Sequence, residues 1–370
     1  MGSFRSWLRL LREGGGIDLE FLPRVLFVTT TTLLTSPLRL YERLRFDKAV
    51  QQTTVHPSPL FIIGHWRTGT SHLHNLLCQD RSLGYLTTFQ AAAPGFCLSG
   101  ERLLKPLLAA LTRRTHPTRV IDNMPLSMDA PQEEEVAIAN LSPYSWLHTY
   151  TYPRRASHFF DRYTLFSGLP EPDLADWAEI YMHLLRKATL SSGGRRLVLK
   201  NPSHGGRLRQ VLDLFPEAKF IYTVRNPYDL FVSELGTYRK VLPRSQVQRT
   251  TPGHIEEHVL SSGTRIMQKY LTDKVLIPPE NLVQVKFEEL ERAPLEQLRR
   301  VYDRLAIPSY DQAEPSFRAY LDSIRGYQKN PYEIGEVEID RVNQSWGFVF
   351  EPWHYPQLEG STEQRNHGAS

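Results

Sequence analysis

The chain has 370 residues, 41% of them hydrophobic, enough to bury a large core as one domain or as one domain with a lid or insert. Its 44 Lys and Arg against 40 Asp and Glu leave a net charge of +4 with no long block of like charge, which argues against bulk nucleic-acid binding. Only Cys78 and Cys97 are present, too few and too isolated for a disulfide scaffold or a zinc site.

Residues 1–57 read as a helical, partly apolar prelude. Phe4, Trp7, Leu8 and Leu11 share one helical face, and Arg5, Arg9 and Arg12 fall on another. That pattern suits a short basic amphipathic helix lying on an anionic membrane surface, and equally an ordinary surface helix. From Phe21 to Leu38 the chain is apolar but carries Pro23, Arg24 and several threonines. It is too short and polar for a membrane span, which needs about 20 apolar residues. It also lacks a small-residue cleavage site, so a cytoplasmic protein is expected, with peripheral membrane contact through the N-terminus left open as one of the two readings of the first helix.

The core pattern starts at Leu60. An apolar run to Ile63 predicts a buried strand, and His72 to Cys78 the helix after it. Ala130 to Leu141 predicts a helix with Pro131 near its start and Glu133, Glu134 and Glu135 in its first turn. A periodic helix follows over 173–190. Three further strands are predicted at Arg196–Lys200, Lys219–Val224 and Asn281–Phe287, each followed by a helix: 207–215, 228–239 and 295–305. Strands alternating with helices imply right-handed crossovers and a parallel sheet flanked by helices on both faces. Ligands of such sheets bind beyond the C-terminal strand ends, where the polar loops 64–71, 200–206 and 225–233 fall. The catalytic domain is placed at 58–355, and the polar tail 356–370 is expected to be disordered.

The loop Gly64-His65-Trp66-Arg67-Thr68-Gly69-Thr70-Ser71 has the strand–loop–helix spacing of an anion cradle, with backbone N–H groups and a helix dipole aimed at the ligand. It resembles the Walker loop, G-x-x-x-x-G-K-[ST], but Thr70 stands where the lysine belongs and Arg67 is its only cation. No strand ends in the apolar run plus Asp that would hold Mg²⁺. A loop of this kind suits transfer of a sulfuryl group without a metal, one guanidinium and the backbone N–H groups meeting the developing charge. In the second motif, Val224-Arg225-Asn226-Pro227-Tyr228-Asp229-Leu230-Phe231-Val232-Ser233, an arginine leaves a buried strand and Pro227 opens a helix. Arg225 and Ser233 can converge on a second anion near the helix N-terminus.

Together the two motifs resemble those of the PAPS-dependent sulfotransferases, which use 3′-phosphoadenosine 5′-phosphosulfate as donor. The first is similar to that family's 5′-phosphosulfate loop and the second to its 3′-phosphate motif, in the family's order. The segments Pro131-Gln132-Glu133-Glu134-Glu135, Leu199-Lys200-Asn201-Pro202-Ser203-His204 and Val285-Lys286-Phe287-Glu288-Glu289-Leu290 resemble the bacterial-type branch. The resemblance spans about residues 57–310 and implies a P-loop-like α/β fold, PAPS as co-substrate, PAP as product and no metal. It places His65, Trp66, Arg67, Thr68, Gly69, Thr70, Ser71, Arg225 and Ser233 at the donor. It further implies a cation on the transferred group, Arg67 with Lys200, and a base that activates a hydroxyl acceptor. The base lies between His204 and the carboxylates of 133–135, with Glu134 put forward among them. Trp66 either stacks on the adenine or fills the core. Arg325 and Lys329 stand where the family has a basic loop over the 3′-phosphate. The acceptor is a small molecule, a lipid or a glycan. Two other readings compete: a kinase with a degenerate loop, and a non-catalytic nucleotide-binding protein at a membrane surface.

Overall fold

The structure is a computed structural model that describes residues 2–115, 118, 121, 126–326 and 334–360. Five parallel strands form one sheet: β1 (Leu60–Gly64), β2 (Leu83–Gly84), β3 (Arg196–Lys200), β4 (Lys219–Val224) and β5 (Leu282–Lys286), in the order β2-β3-β1-β4-β5. The chain steps outward from β1 to β2, returns through β3, then crosses to β4 on the other side. The strand order therefore reverses around β1, the position at which open α/β sheets bind ligands.

Both faces of the sheet are buried. Phe61 and Ile63 of β1 join Leu197, Leu199, Phe220 and Tyr222 in one core, while Leu60 and Ile62 join Val198 and Ile221 in the other. That alternation is the period-two geometry of a strand covered on both sides. The first core is covered by the helices Glu134–Leu141, Glu171–Ser191, Pro227–Ser245 and Pro252–Asp273. The second is covered by Thr70–Leu77, Pro294–Arg304 and Tyr310–Ser323.

The predicted strands stand within one residue of their expected bounds; β2 was not foreseen. The helix expected from Ala130 starts four residues later, at Glu134. Pro131 is instead drawn into an antiparallel bridge with Thr87, and Gln132 N–H donates to the Leu86 carbonyl at 2.9 Å. Part of the tail expected to be disordered is held to the body. Leu358 N–H donates to the Tyr228 hydroxyl at 2.8 Å and its carbonyl accepts from Asn343 at 2.9 Å. Residues 361–370 lie outside the described residues.

Candidate active site

Parallel pairing puts the loops after β3, β1 and β4 side by side at one sheet edge. In the first of the two anion loops, β1 closes on Gly64 at φ 150°, where a Cβ would stand 2.6 Å from the Thr223 carbonyl of β4. The Thr68 hydroxyl donates to the His65 carbonyl at 2.6 Å and lies 2.6 Å from the Thr223 hydroxyl, so the loop is stitched shut on both flanks. Gly69, at φ 82°, lets the helix Thr70–Leu77 begin where any Cβ would run into the Phe287 ring. Arg67 holds φ 70° without being glycine, a conformation that costs about 1–2 kcal/mol. Strain of that size is retained where surrounding structure over-determines it.

The second loop meets the first directly. Asn226 caps the helix Pro227–Ser245 by accepting from Tyr228 N–H at 3.0 Å, with Pro227 in the first turn. Arg67 Nε donates to Ser233 Oγ at 3.0 Å, and Arg225 Nη1 donates to the Arg67 carbonyl at 3.2 Å. The Arg225 guanidinium lies 4.7 Å over the ring of Phe287, the residue that also closes on Gly69. Two guanidinium groups, a hydroxyl and the start of a helix thus gather at adjacent strand ends. Such a donor set fits a ligand carrying anionic groups at two places. Asp229, in the first turn of the helix Pro227–Ser245 with its side chain half exposed, sits 3.8 Å from Arg225 in the loop before it.

The three glutamates differ sharply. Glu135 is fully buried and accepts from Ser145 Oγ at 2.7 Å, from Trp146 N–H at 3.3 Å, from Asn201 at 2.9 Å and from Arg207. Glu134 is also fully buried, accepting from Lys200 N–H and the Tyr181 hydroxyl, both at 3.2 Å. Burial pushes its carboxyl up to about 7. Glu133 occupies the N-cap position instead of the first turn, so its side chain leaves the helix in a different direction. It reaches Lys200 Nζ at 2.5 Å through Oε2, while Oε1 has no hydrogen-bond partner among the described residues. Burial raises the Glu133 carboxyl, and Lys200 partly offsets that.

His204 departs from its expected part. It is fully buried, its Nδ1 accepts from Arg207 Nε at 3.0 Å, and its Nε2 stands 2.9 Å from the Tyr181 hydroxyl. Burial, reinforced by the Arg207 charge, holds the imidazole well below its ordinary range. With Nδ1 occupied as an acceptor, the neutral ring carries its proton on Nε2 and has no lone pair left for a substrate proton. The 3.3 Å approach of Glu134 is therefore a contact with a neutral ring. His65 and Trp66 are likewise turned into the core. His65 Nδ1 lies 2.9 Å from the Trp66 carbonyl, and burial brings its pKa down to about 4. The Trp66 ring packs 4.3 Å from that of Trp146. Trp66 is 8% exposed and packs within the core. Arg325 is largely exposed and paired with Asp322 at 2.8 Å; Lys329 lies outside the described residues.

Sequence reasoning passed over Glu234. It is 3% exposed, and its Oε2 has no hydrogen-bond partner among the described residues. Burial raises its carboxyl to about 7, with Arg67 pulling the other way and Glu133 adding to the rise. The neighbouring Tyr150 and Tyr238 rings stand 4.7 Å apart and both feel its charge. Its position one residue after Ser233 was the only signal.

Fold and loops define a group transferase of the P-loop-like α/β class. The comparisons with known proteins name the family: the sulfotransferase family model matches residues 59–312, and the chain belongs to that family. It is 28% identical over 354 residues to the omega-hydroxy-beta-dihydromenaquinone-9 sulfotransferase Stf3 of Mycobacterium bovis, covering 95% of this chain and 90% of that one; the Mycobacterium tuberculosis protein of the same name gives the same figures. Among solved structures, the sulfotransferase STF9 from Mycobacterium avium superposes with a TM-score of 0.73 at 20% identity, over 97% of this chain and 93% of that one. The sulfotransferase STF1 from Mycobacterium tuberculosis superposes with a TM-score of 0.71 at 16% identity over 92% of both chains. At such identities these two structures speak for the fold.

Proposed function

We propose that this sulfotransferase moves a sulfuryl group from PAPS to the hydroxyl of a lipid-class acceptor and releases PAP. The observation that carries the reading is the Arg67–Ser233 hydrogen bond, which joins the two anion loops into one site. PAPS would supply an activated sulfuryl group with a phosphorylated nucleoside as leaving group. Residues 65–71 would hold its 5′ end through backbone N–H groups and the helix start. Arg225 and Ser233 would hold its 3′-phosphate.

The chain's own residues divide the remaining work. Arg67 and Lys200 offset charge that develops at the transferred group, a role that two fixed cations fill without a metal ion. Glu133 Oε1 takes the acceptor's hydroxyl proton while Oε2 stays on Lys200. A carboxyl raised by burial is a better base than an exposed one, and the low-dielectric surroundings strengthen its pairing with Lys200. Glu134, Glu135, His204 and Arg207 form the interior network that fixes the Lys200 strand end against the Glu134–Leu141 helix. The Stf3 relatives, whose name specifies a hydroxylated menaquinone derivative, support the lipid acceptor in this reading. Residues 58–355 would form the catalytic domain, with 1–57 as a helical segment that contacts the membrane peripherally.

Calorimetry with PAP tests the donor site. The wild-type chain should bind PAP in the presence of EDTA, and Arg225→Ala should weaken binding by at least about tenfold, the loss of a charge-assisted contact. Equal affinity in the variant would remove Arg225 from the site.

A further inference from the structure

Exposed apolar side chains are concentrated in one part of the chain. Of the nineteen large hydrophobic residues exposed among the described residues, twelve lie before residue 45, so this surface is not a random scatter. The helix expected to carry membrane contact contributes little to it. In Phe4–Glu13 both Trp7 and Leu10 are buried; Trp7 Nε1 donates to Thr29 at 2.9 Å, and Arg9 pairs with Asp173 at 2.5 Å. That helix is docked on the protein body.

The apolar surface belongs to the next two helices. Leu22–Leu34 turns Val25 and Thr32 inward and leaves Leu26, Phe27, Leu33 and Leu34 between 49% and 72% exposed. Ser36–Gln52 buries Glu42 and Val50, and Leu40, Tyr41 and Leu44 stand on its opposite side, 58% to 78% exposed. Glu42 locks that orientation. It accepts from Lys187 Nζ at 2.6 Å and from the Ser99 N–H and hydroxyl at 2.9 Å each, almost entirely out of water. The helix cannot rotate to hide its leucines without breaking a buried ion pair. Arg43, Arg45 and Lys48 are exposed beside them. Residues 1–57 carry eight Arg and Lys against five Asp and Glu, a net +3 of the chain's +4.

We propose that the helices Leu22–Leu34 and Ser36–Gln52 form a docking surface for an anionic lipid bilayer. Leucine and phenylalanine rise into the headgroup boundary while arginine and lysine meet anionic lipids. A second copy of the chain is a poorer occupant, because a two-fold contact would set this basic surface against itself. Among the described residues no helix is long and apolar enough to cross a membrane, so the contact lies in the interface plane. A cavity of about 530 Å³ opens beneath the same segment, lined by Trp7, Leu10, Val25, Phe27, Val28 and Leu147 among others. Phe27 belongs both to that lining and to the exposed surface, placing an apolar space next to the bilayer contact.

Co-sedimentation of the full chain with phosphatidylcholine vesicles, with and without a minor fraction of phosphatidylglycerol, tests the inference. Binding is expected to the anionic vesicles and to be at least about tenfold weaker to the neutral ones. The double variant Leu40→Glu, Leu44→Glu should lose at least about tenfold in affinity while keeping its circular dichroism and its PAP binding. Arg43→Glu with Arg45→Glu, both at exposed positions, supplies a second reading of the same surface should the first variant fold poorly. The inference is overturned by absence of vesicle binding in the wild type, by equal binding in folded variants, or by light scattering that shows a dimer which the variants dissociate. Vesicle binding and PAP binding can fail separately, so loss of the donor reading leaves this one standing.

Discussion

Glu133→Gln removes one charge while preserving side-chain shape. As the base, Glu133 should contribute 10²–10⁴ in rate, so its loss should raise the barrier by about 3–5 kcal/mol. Its effect on folding should be smaller. The Lys200–Glu133 pair has side chains only 7% and 12% exposed, and breaking a fully buried pair costs about 3–5 kcal/mol. The glutamine carbonyl still accepts from Lys200 Nζ, so we expect a stability loss of only about 1–2 kcal/mol. Glu134→Gln provides the contrast. Its carboxyl is sealed behind Lys200 N–H and Tyr181, and kcat should change by no more than about threefold, a loss of positioning alone. Single-turnover transfer from PAPS to a hydroxylated lipid extract, with urea unfolding of each variant, separates rate from stability. The pH profile adds a sign. The base works ionised and burial raises its carboxyl, so kcat/KM should fall as pH drops through a value above the usual carboxylate range, and this limb should vanish in Glu133→Gln. An equal rate loss in folded Glu134→Gln or His204→Gln, or an acid limb that survives in Glu133→Gln, would refute the reasoning.

Two further substitutions probe the loops. Gly69→Ala puts a Cβ at φ 82° against the Phe287 ring and should cost about 2–4 kcal/mol from left-handed strain and overpacking together. PAP affinity should fall with it, and a variant with wild-type affinity and melting temperature would show that the loop has slack. Glu234→Gln should stabilise the fold in a pH-dependent way. Burial raises the Glu234 carboxyl from 4.5 to about 7, so between those values the native chain keeps a proton that the unfolded chain has released. Stability therefore declines as pH rises through that window, and the substitution should return on the order of 3 kcal/mol at pH 8 and almost nothing at pH 4. Thermal unfolding at both pH values checks this, and an equal gain at each would show that titration of Glu234 is not the cause.

The strands were legible because their apolar runs are buried on both faces and end in polar loops, as at Leu60–Gly64 and Lys219–Val224. β2, with two residues, gives periodicity nothing to act on. The helix Pro252–Asp273 carries Gly263 in its interior, which weakens its helical signal. That glycine is used for packing: a Cβ there would meet the Trp346 indole. At the site, motif spacing showed which loops come together, but not which way their side chains turn. Glu133 and Glu134 exchange prospects because the bridge at Pro131 delays the helix by four residues, which no propensity records. His204 was placed at the correct strand end, yet Arg207 and Tyr181 occupy its ring, and Tyr181 is distant in sequence. Membrane contact was assigned to the helix whose amphipathic pattern is clearest, but Trp7 and Leu10 of that helix are buried against the body, and of its apolar residues only Phe4 and Leu8 stay exposed.

The central claim is metal-independent sulfuryl transfer from a donor held across residues 64–71 and 225–233. Incubation of the full chain with PAPS labelled in its sulfuryl group and a lipid extract, in EDTA, tests it most directly, with mass spectrometry of the product. The expected result is label on a hydroxylated lipid together with stoichiometric PAP, both lost in Arg67→Ala. Absence of label transfer alongside Mg²⁺-dependent ATP hydrolysis by the same preparation would contradict it.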